Sequence, residues 1–231
     1  MDTRGRARFL REMDRLGAPV SRETLARLDV LVENLMRWQK AINLVGRTTL
    51  QDVWERHILD SAQLKPLMPT QAKTVADLGS GGGFPGLVVA ALCPEIAVTL
   101  IEADARKAAF LGDTARRMDL LKNPKLHVGR LETVAPVGAD IVTARALAPL
   151  GQLLTWGARH GKNGAIYLFH KGKGWQGELT EATKAWDITY QPTTSVTDRD
   201  AVILRIGSSL PASDLRHREP EGWRREDDDG H

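Results

Sequence analysis

The sequence predicts an α/β protein: a mostly parallel seven-stranded sheet with a reversed C-terminal strand, preceded by a helical extension. Three observations predict it. Residues 74–89 read TVADLGSGGGFPGLVV. A short apolar run ends in Asp77, glycines follow at 79, 81 and 83, and Pro85 opens an apolar segment; this is strand, tight turn and helix in succession. From about Lys73 onward, strand-like and helix-like segments alternate, the pattern of parallel βαβ units. The last two strand-like segments are joined by a loop holding Pro192, Asp198, Arg199 and Asp200. That loop has no room for a crossover helix, so its flanking strands pair antiparallel.

The elements follow in order. Residues 1–70 read as the helical N-terminal extension. Ser21 caps a helix with apolar positions at Leu25, Leu28, Leu31, Val32, Leu35, Trp38 and Ile42, which is helical spacing. A second helix is expected to start at Thr49, with Asp52 in the place of a capping-box acid. It carries Val53, Trp54, His57, Ile58 and Leu64 until Pro66 and Pro69 end it. Residues 71–206 form the sheet domain. Its strands are expected at 74–78, 97–102, 126–129, 140–144, 165–169, 187–191 and 201–206. Its helices are expected at 85–92, 104–119, 149–159 and 175–186. Residues 207–231 are polar and acidic and read as a disordered tail.

Composition narrows the class. At 231 residues, 42% hydrophobic and 26% charged, the chain has the size and balance of a globular protein with its own core. The single cysteine, Cys93, rules out an intrachain disulfide and fits the reducing cytoplasm. No apolar run nears the roughly 20 residues that span a bilayer, and the N-terminus lacks the apolar core of a signal peptide. No membrane partner is expected. The net charge of +3 is unevenly spread. Four arginines against seven acidic residues leave 207–231 at −3, so the rest of the chain is +6. Arg4, Arg6, Arg8, Arg11 and Arg15 crowd the start, a surface that attracts nucleic acid or simply a solvated basic face.

The glycine turn admits two ligands. Gly81-x-Gly83-x-x-Gly86 matches a dinucleotide fingerprint. Asp77-x-Gly79-x-Gly81-x-Gly83 matches the loop of class I S-adenosyl-L-methionine (AdoMet) methyltransferases, which are Rossmann-like. In that reading the Asp77 carboxylate reaches the methionine ammonium, and Gly79 and Gly81 let the backbone approach the ligand. Glu102, at the end of the second strand, accepts ribose hydroxyls under either reading. Other chemistries find no footing. There is no G-x-x-x-x-G-K-[ST] phosphate loop and no G-x-S-x-G elbow. The six histidines are scattered without metal-ligand spacing, so no metal is expected. The fourth strand runs into Thr143-Ala144-Arg145-Ala146-Leu147, without the Asp/Asn-Pro-Pro-aromatic run of exocyclic-amine methylation. Cys93 lies at the far end of the first sheet helix, away from the ligand edge, and reads as a small buried residue.

Taken together, the residues resemble the RsmG/GidB family of bacterial small-subunit rRNA methyltransferases. The resemblance runs from about Leu35 to Ile206. It is carried by the segments beginning Trp38-Gln39-Lys40-Ala41-Ile42-Asn43-Leu44 and Arg56-His57-Ile58-Leu59-Asp60-Ser61. The Asp77-to-Gly86 turn, Glu102-to-Lys107, Phe110-Leu111, Arg130-Leu131-Glu132, Arg145-Ala146 and Lys171-Gly172 complete it. Gly82 departs from it, since the family often has Ala there. The resemblance implies AdoMet-dependent methylation of a guanine N7 in 16S rRNA. It also implies cofactor contacts at Gly79, Phe84, Leu131, Glu132 and Arg145. The expected partner is 16S rRNA or an assembling small ribosomal subunit, met by a monomer.

Guanine N7 carries a free lone pair and no proton, so no general base is expected and no catalytic side chain is assigned. Asn43, His57 and Lys171 are candidate substrate contacts. His57 and Asp60 share a helix face, and Lys171 ends the fifth strand, at the ligand edge of such sheets. Two alternatives stand beside this reading: an NAD(P)-dependent oxidoreductase, and a non-catalytic RNA-binding protein that keeps AdoMet as a structural ligand.

Overall fold

A computed structural model describes residues 2–211. Helices α1 (Thr3–Arg15) and α2 (Arg22–Trp38) open the chain. A π-helical stretch, Trp54–Leu59, runs into the short α3 (Asp60–Ala62). Then come β1 (Thr74–Leu78), α4 (Gly86–Leu92), β2 (Ala97–Glu102), α5 (Ala105–Arg117), β3 (Lys125–Val128) and β4 (Ala139–Arg145). The chain continues through α6 (Leu150–His160), β5 (Gly161–Lys171), α7 (Trp175–Ala182), β6 (Trp186–Thr194) and β7 (Val202–Pro211).

The seven strands lie in the order β3-β2-β1-β4-β5-β7-β6. β1 to β5 are parallel, and β7 is antiparallel to both β5 and β6. β6 therefore runs with the first five, and β7 alone is reversed, slotted between β5 and β6. This topology brings the carboxyl ends of β1, β2, β4 and β5 and the β6–β7 loop to one edge. No helix of the described residues is long and apolar enough to cross a membrane.

Local signals set several boundaries. Ser21 caps α2 by accepting the Thr24 N–H at 3.2 Å. Asp104 caps α5 by accepting from Arg106 and Lys107 N–H. β1 and β2 fall where the sequence predicts them. Other expectations are corrected. The Thr49–Asp52 capping box does not form, because Arg47–Thr49 is a 3₁₀ turn and the Thr49 hydroxyl donates back to the Gly46 carbonyl at 2.8 Å. Helical bonding begins beyond it, with the Asp52 carbonyl accepting from Glu55 and Arg56. α7 stops at Ala182, and Trp186 starts β6 rather than ending a helix. β7 continues to Pro211, opposite Trp186, so 207–211 extend the sheet. The rest of the expected tail, 212–231, lies outside the described residues.

Strand alternation splits the core into two layers. Val75, Val98, Ile141, Leu168 and Ile203 face α2, α4, α5 and the N-terminal helices in one cluster. Leu78, Ile101, Val142, Phe169 and Leu204 face α6 and α7 in the other. α1, which the sequence reading did not resolve as an element, belongs to the first layer. Its Phe9 and Met13 are fully buried, and Phe9 packs on Trp54 with ring centroids 5.4 Å apart. The N-terminal helices are thus continuous with the sheet's own core. Truncating Phe9→Ala should lower the unfolding free energy by about 3–5 kcal/mol, read by urea denaturation; a change under about 1 kcal/mol would mean that α1 is a loosely docked arm.

Candidate functional site

The turn after β1 is built on backbone that side chains cannot follow. Gly79, Gly81 and Gly83 have φ of 61°, 53° and 83°, the left-handed region where glycine carries no penalty. A Cβ on Gly79 would lie 2.5 Å from Leu147 Cδ1, and one on Gly86 would lie 2.3 Å from Leu100 Cδ2. Asp77 closes the turn from within. Its Oδ1 accepts from the Thr143 hydroxyl at 2.8 Å and its Oδ2 from Gly86 N–H at 3.2 Å. Burial pushes its carboxyl up to about 6, only partly offset by these hydrogen bonds and by the Arg145 charge. Asp77 is 0% exposed and does not line the adjoining cavity. The carboxylate expected to meet a ligand ammonium is turned inward on the loop itself.

That cavity, of about 800 Å³, follows the carboxyl edge of the sheet. At one end stand Glu102, Leu131, Glu132 and Trp156. Glu102 accepts from Gly81 N–H and Asp104 N–H, each at 2.8 Å. Both oxygens are thereby oriented and still hold lone pairs for a ligand. The loop after β3 is pinned by the Leu131 carbonyl, which accepts from His160 Nε2 at 2.8 Å and Arg159 Nε at 3.2 Å. Glu132 accepts from Trp156 Nε1 at 3.0 Å. In the middle, Phe84 and the glycine turn form the floor.

At the other end Arg145 is tied into the N-terminal helices. Its Nη1 donates to the Arg56 carbonyl at 3.0 Å and Asp60 Oδ2 at 3.2 Å, and its Nη2 donates to His57 Nδ1 at 2.9 Å. The guanidinium lies 5.2 Å above the Phe84 ring, and His57 stacks on the same ring at 5.0 Å. A guanidinium only donates, so His57 Nδ1 accepts and Nε2 carries the proton, donating to Thr49 Oγ1 at 2.8 Å. Burial, reinforced by the Arg145 charge and opposed by Asp60, pushes His57 down to about 3. The imidazole is neutral with both nitrogens engaged. Asp60 also accepts from the Thr197 hydroxyl at 2.8 Å and from Gln63 Nε2 at 3.0 Å. The π-helical turn carrying Arg56 and His57 is of a kind frequent at functional sites.

Nine of the eleven residues singled out in the sequence line this cavity: Gly79, Gly81, Phe84, Glu102, Leu131, Glu132, Arg145, His57 and Lys171. Lys171 is buried, with Nζ 2.5 Å from Glu178 Oε2 and 2.9 Å from the Ala148 carbonyl. Asp77 and Asn43 lie outside the wall. Asn43 is exposed, while its neighbours Leu44, Val45 and Gly46 do line the cavity. Gln39 holds that strap, accepting from Leu44 and Val45 N–H and donating to the Val45 carbonyl. Gly82 lets the strap sit close, since a Cβ there would be 3.1 Å from the Leu44 carbonyl oxygen. Sequence reasoning gave no place in the site to Thr49, Leu147, Trp156, Thr197 or Asp198, because no local spacing links their elements. Cys93 is buried at the end of α4, and burial pushes its thiol up to about 11.

A seven-stranded sheet with one reversed strand, a glycine turn after β1 and an acid closing β2 define an AdoMet-dependent methyltransferase. Solved structures share this fold. A methyltransferase from Geobacter sulfurreducens superposes with a TM-score of 0.54 at 16% identity, covering 77% of this chain and 87% of that one. An O-methyltransferase from Bacillus cereus superposes at 0.51 and 14% identity, covering 77% and 90%. Residues 24–203 match the GidB family, described as rRNA small subunit methyltransferase G. A protein of that name from Paramagnetospirillum magneticum is 49% identical over 189 residues, 81% of this chain and 90% of its own. Another from Methylobacterium sp. (strain 4-46) is 50% identical over 198 residues, 83% and 92%. The chain belongs to the GidB family of rRNA small subunit methyltransferases.

The Asp77 environment sets a pH signature. A carboxyl at about 6 folded and 3.8 free binds its proton more tightly in the folded state. It therefore favours folding fully below about pH 4, and that contribution is lost as pH rises through 6. The span corresponds to roughly 3 kcal/mol. Asp77→Asn should remove this fall, so the stability difference, variant minus wild type, should grow in the variant's favour between pH 4 and 7. Parallel urea-denaturation profiles for the two proteins would refute the assignment.

Proposed function

We propose that this chain methylates N7 of a guanine in 16S rRNA, using AdoMet. The observation that carries the proposal is that, among the described residues, the titratable groups packed beside Phe84 are all engaged. His57 is neutral, donates through Nε2 and accepts through Nδ1, and the Asp60 oxygens are held by Arg145, Thr197 and Gln63. Such a site suits a nucleophile that brings its own lone pair. Bound AdoMet would supply a methyl on a sulfonium, with the N7–C bond forming as the S–C bond breaks and positive charge passing from sulfur to the ring, so that no residue would have to move a proton.

The protein's part is positioning, which can lower a barrier by about 7–11 kcal/mol. Glu102 is suited to the ribose hydroxyls, and the loop at Leu131 and Glu132 to the adenine. The Gly79–Gly81 backbone gives close approach, with Asp77 acting through the turn it closes. Phe84 is a wall, and Arg145 and His57 fix its far side. A cavity of about 800 Å³ is of the size that encloses a nucleoside ligand. Lys171 and Asn43, as substrate contacts, would act by shaping the sheet edge and at the outer rim respectively. The substrate is naked 16S rRNA or an assembling subunit in the cytoplasm, and the enzyme works as a monomer.

Incubation with labelled AdoMet and either 16S rRNA or small subunits should place label in N7-methylguanosine after nuclease digestion. Turnover should stay flat between about pH 6 and 8.5, because no group must lose a proton. A rate that climbs tenfold per pH unit across that range would reveal a base and overturn the mechanism. AdoMet binding without transfer to either substrate would favour the non-catalytic reading, and NAD(P)H binding in its place would favour the oxidoreductase.

A further inference from the structure

Seven charged or titratable side chains line the cavity beyond Phe84, on the side away from Glu102. Five are enclosed: Asp60, Arg145, His57, His170 and Lys171 have side chains or residues no more than 17% exposed. Each is engaged within the protein, His170 Nε2 by donating to the Asp60 carbonyl at 2.8 Å. The remaining two are Arg56 and Asp198. Their side chains are 43% and 44% exposed and meet only loosely, Nη1 to Oδ2 at 3.8 Å. That is longer than a hydrogen bond. Asp198 Oδ1 accepts from Asp200 N–H at 3.0 Å, so the carboxylate is oriented by its own loop. Among the described residues the guanidinium of Arg56 has no hydrogen-bond acceptor within the protein.

We propose that Asp198 and Arg56 read the guanine, Asp198 accepting from N1–H and the 2-amino group and Arg56 donating to O6. The proposal rests on the guanine-N7 reading and deepens it. A carboxylate beside a guanidinium complements the donor–donor–acceptor edge of guanine. It mismatches adenine, which offers an acceptor at N1 and a donor at the 6-position. N7 stays free to attack. As it takes the methyl, the ring gains positive charge and its N1–H and amino donors strengthen. Asp198 therefore binds the transition state more tightly than the ground state, and its loss must lower kcat and not only raise KM. Asp198 is a specificity-determining residue on the β6–β7 loop, a segment the fold otherwise uses as a connector.

The test compares wild type, Asp198→Asn and Asp198→Ala on 16S rRNA assembled by ligation, with either guanosine or inosine at the mapped methylation position. Inosine lacks the 2-amino group. On guanosine, both variants should lose roughly 10–100-fold in kcat/KM, with kcat falling and with AdoMet affinity by calorimetry unchanged. Wild type should lose a smaller factor on inosine, which keeps N1–H, and Asp198→Ala should show a smaller further loss there than on guanosine. Equal activity of wild type and Asp198→Asn on guanosine would overturn the inference alone, as would an Asp198→Ala deficit of the same size on both substrates. Failure of wild type to methylate any guanine N7 would instead overturn the functional reading, and this inference with it.

Discussion

A carboxylate shut away from water holds together everything at the ligand edge. Asp77 ends β1 and takes one hydrogen bond from β4, through Thr143, and one from the head of α4, through Gly86. Three elements are thereby fixed around one residue. The turn between them can then adopt backbone that only glycine tolerates, at 79, 81 and 83. Gly86 has a second duty, since any side chain there would collide with Asp77 and Leu100. Burying an ionisable group costs stability unless its charge is compensated, and the raised carboxyl pKa shows that compensation here is partial. What the fold gains is a turn whose shape does not depend on the ligand, the preorganisation that a positioning site requires.

A second constraint brings the N-terminal segment into the same site. Arg145 leaves β4 and is met by the Arg56 carbonyl, His57 and Asp60, all from the π-helical turn and its continuation. Phe84, from the glycine turn, lies between His57 and Arg145. The two ties share that ring, so the helical segment and the sheet locate each other at the cavity itself. Ala146, directly after Arg145, has φ of 50°. Left-handed backbone at a non-glycine residue is a local strain that persists where surrounding contacts over-determine it. Here the Arg145 network on one side and Leu147 over Gly79 on the other supply those contacts.

How much of this was legible in the chain depends on the range of the interaction. Ser21, Asp104, the glycine turn, β1 and β2 are encoded within a few residues, and each stands where the sequence places it. α1 was not resolved because its arginines dilute a narrow apolar stripe, Phe9 and Met13, which needs Trp54 to be buried. Thr49 carries the composition of a cap but serves a partner eight residues on, His57. Lys171 and Arg145 were correctly put at strand ends. Their ion pairs, with Glu178 and Asp60, are set by which helix the topology brings alongside. The inward turn of Asp77 was likewise invisible, because its two donors come from separate elements. Asp198 looked like loop filler, since only the insertion of β7 beside β5 carries its loop to the cavity.

The same distinction changes the meaning of the basic N-terminus. Arg6 pairs with Asp29 and lies 5.8 Å from the Trp54 ring, Arg8 pairs with Glu55 and reaches the Val196 carbonyl, and Arg15 pairs with Glu12. Three of the five crowded arginines thus find partners within the protein. Partly exposed pairs of this kind add little stability each, but they are directional. Arg8 joins α1 to the π-helical turn and to the β6–β7 loop at once, and those are the two segments that present Arg56 and Asp198. Arg8, from a cluster that composition alone would assign to an RNA-attracting surface, therefore works one layer further in, by tying together the two segments that carry Arg56 and Asp198 at the cavity mouth.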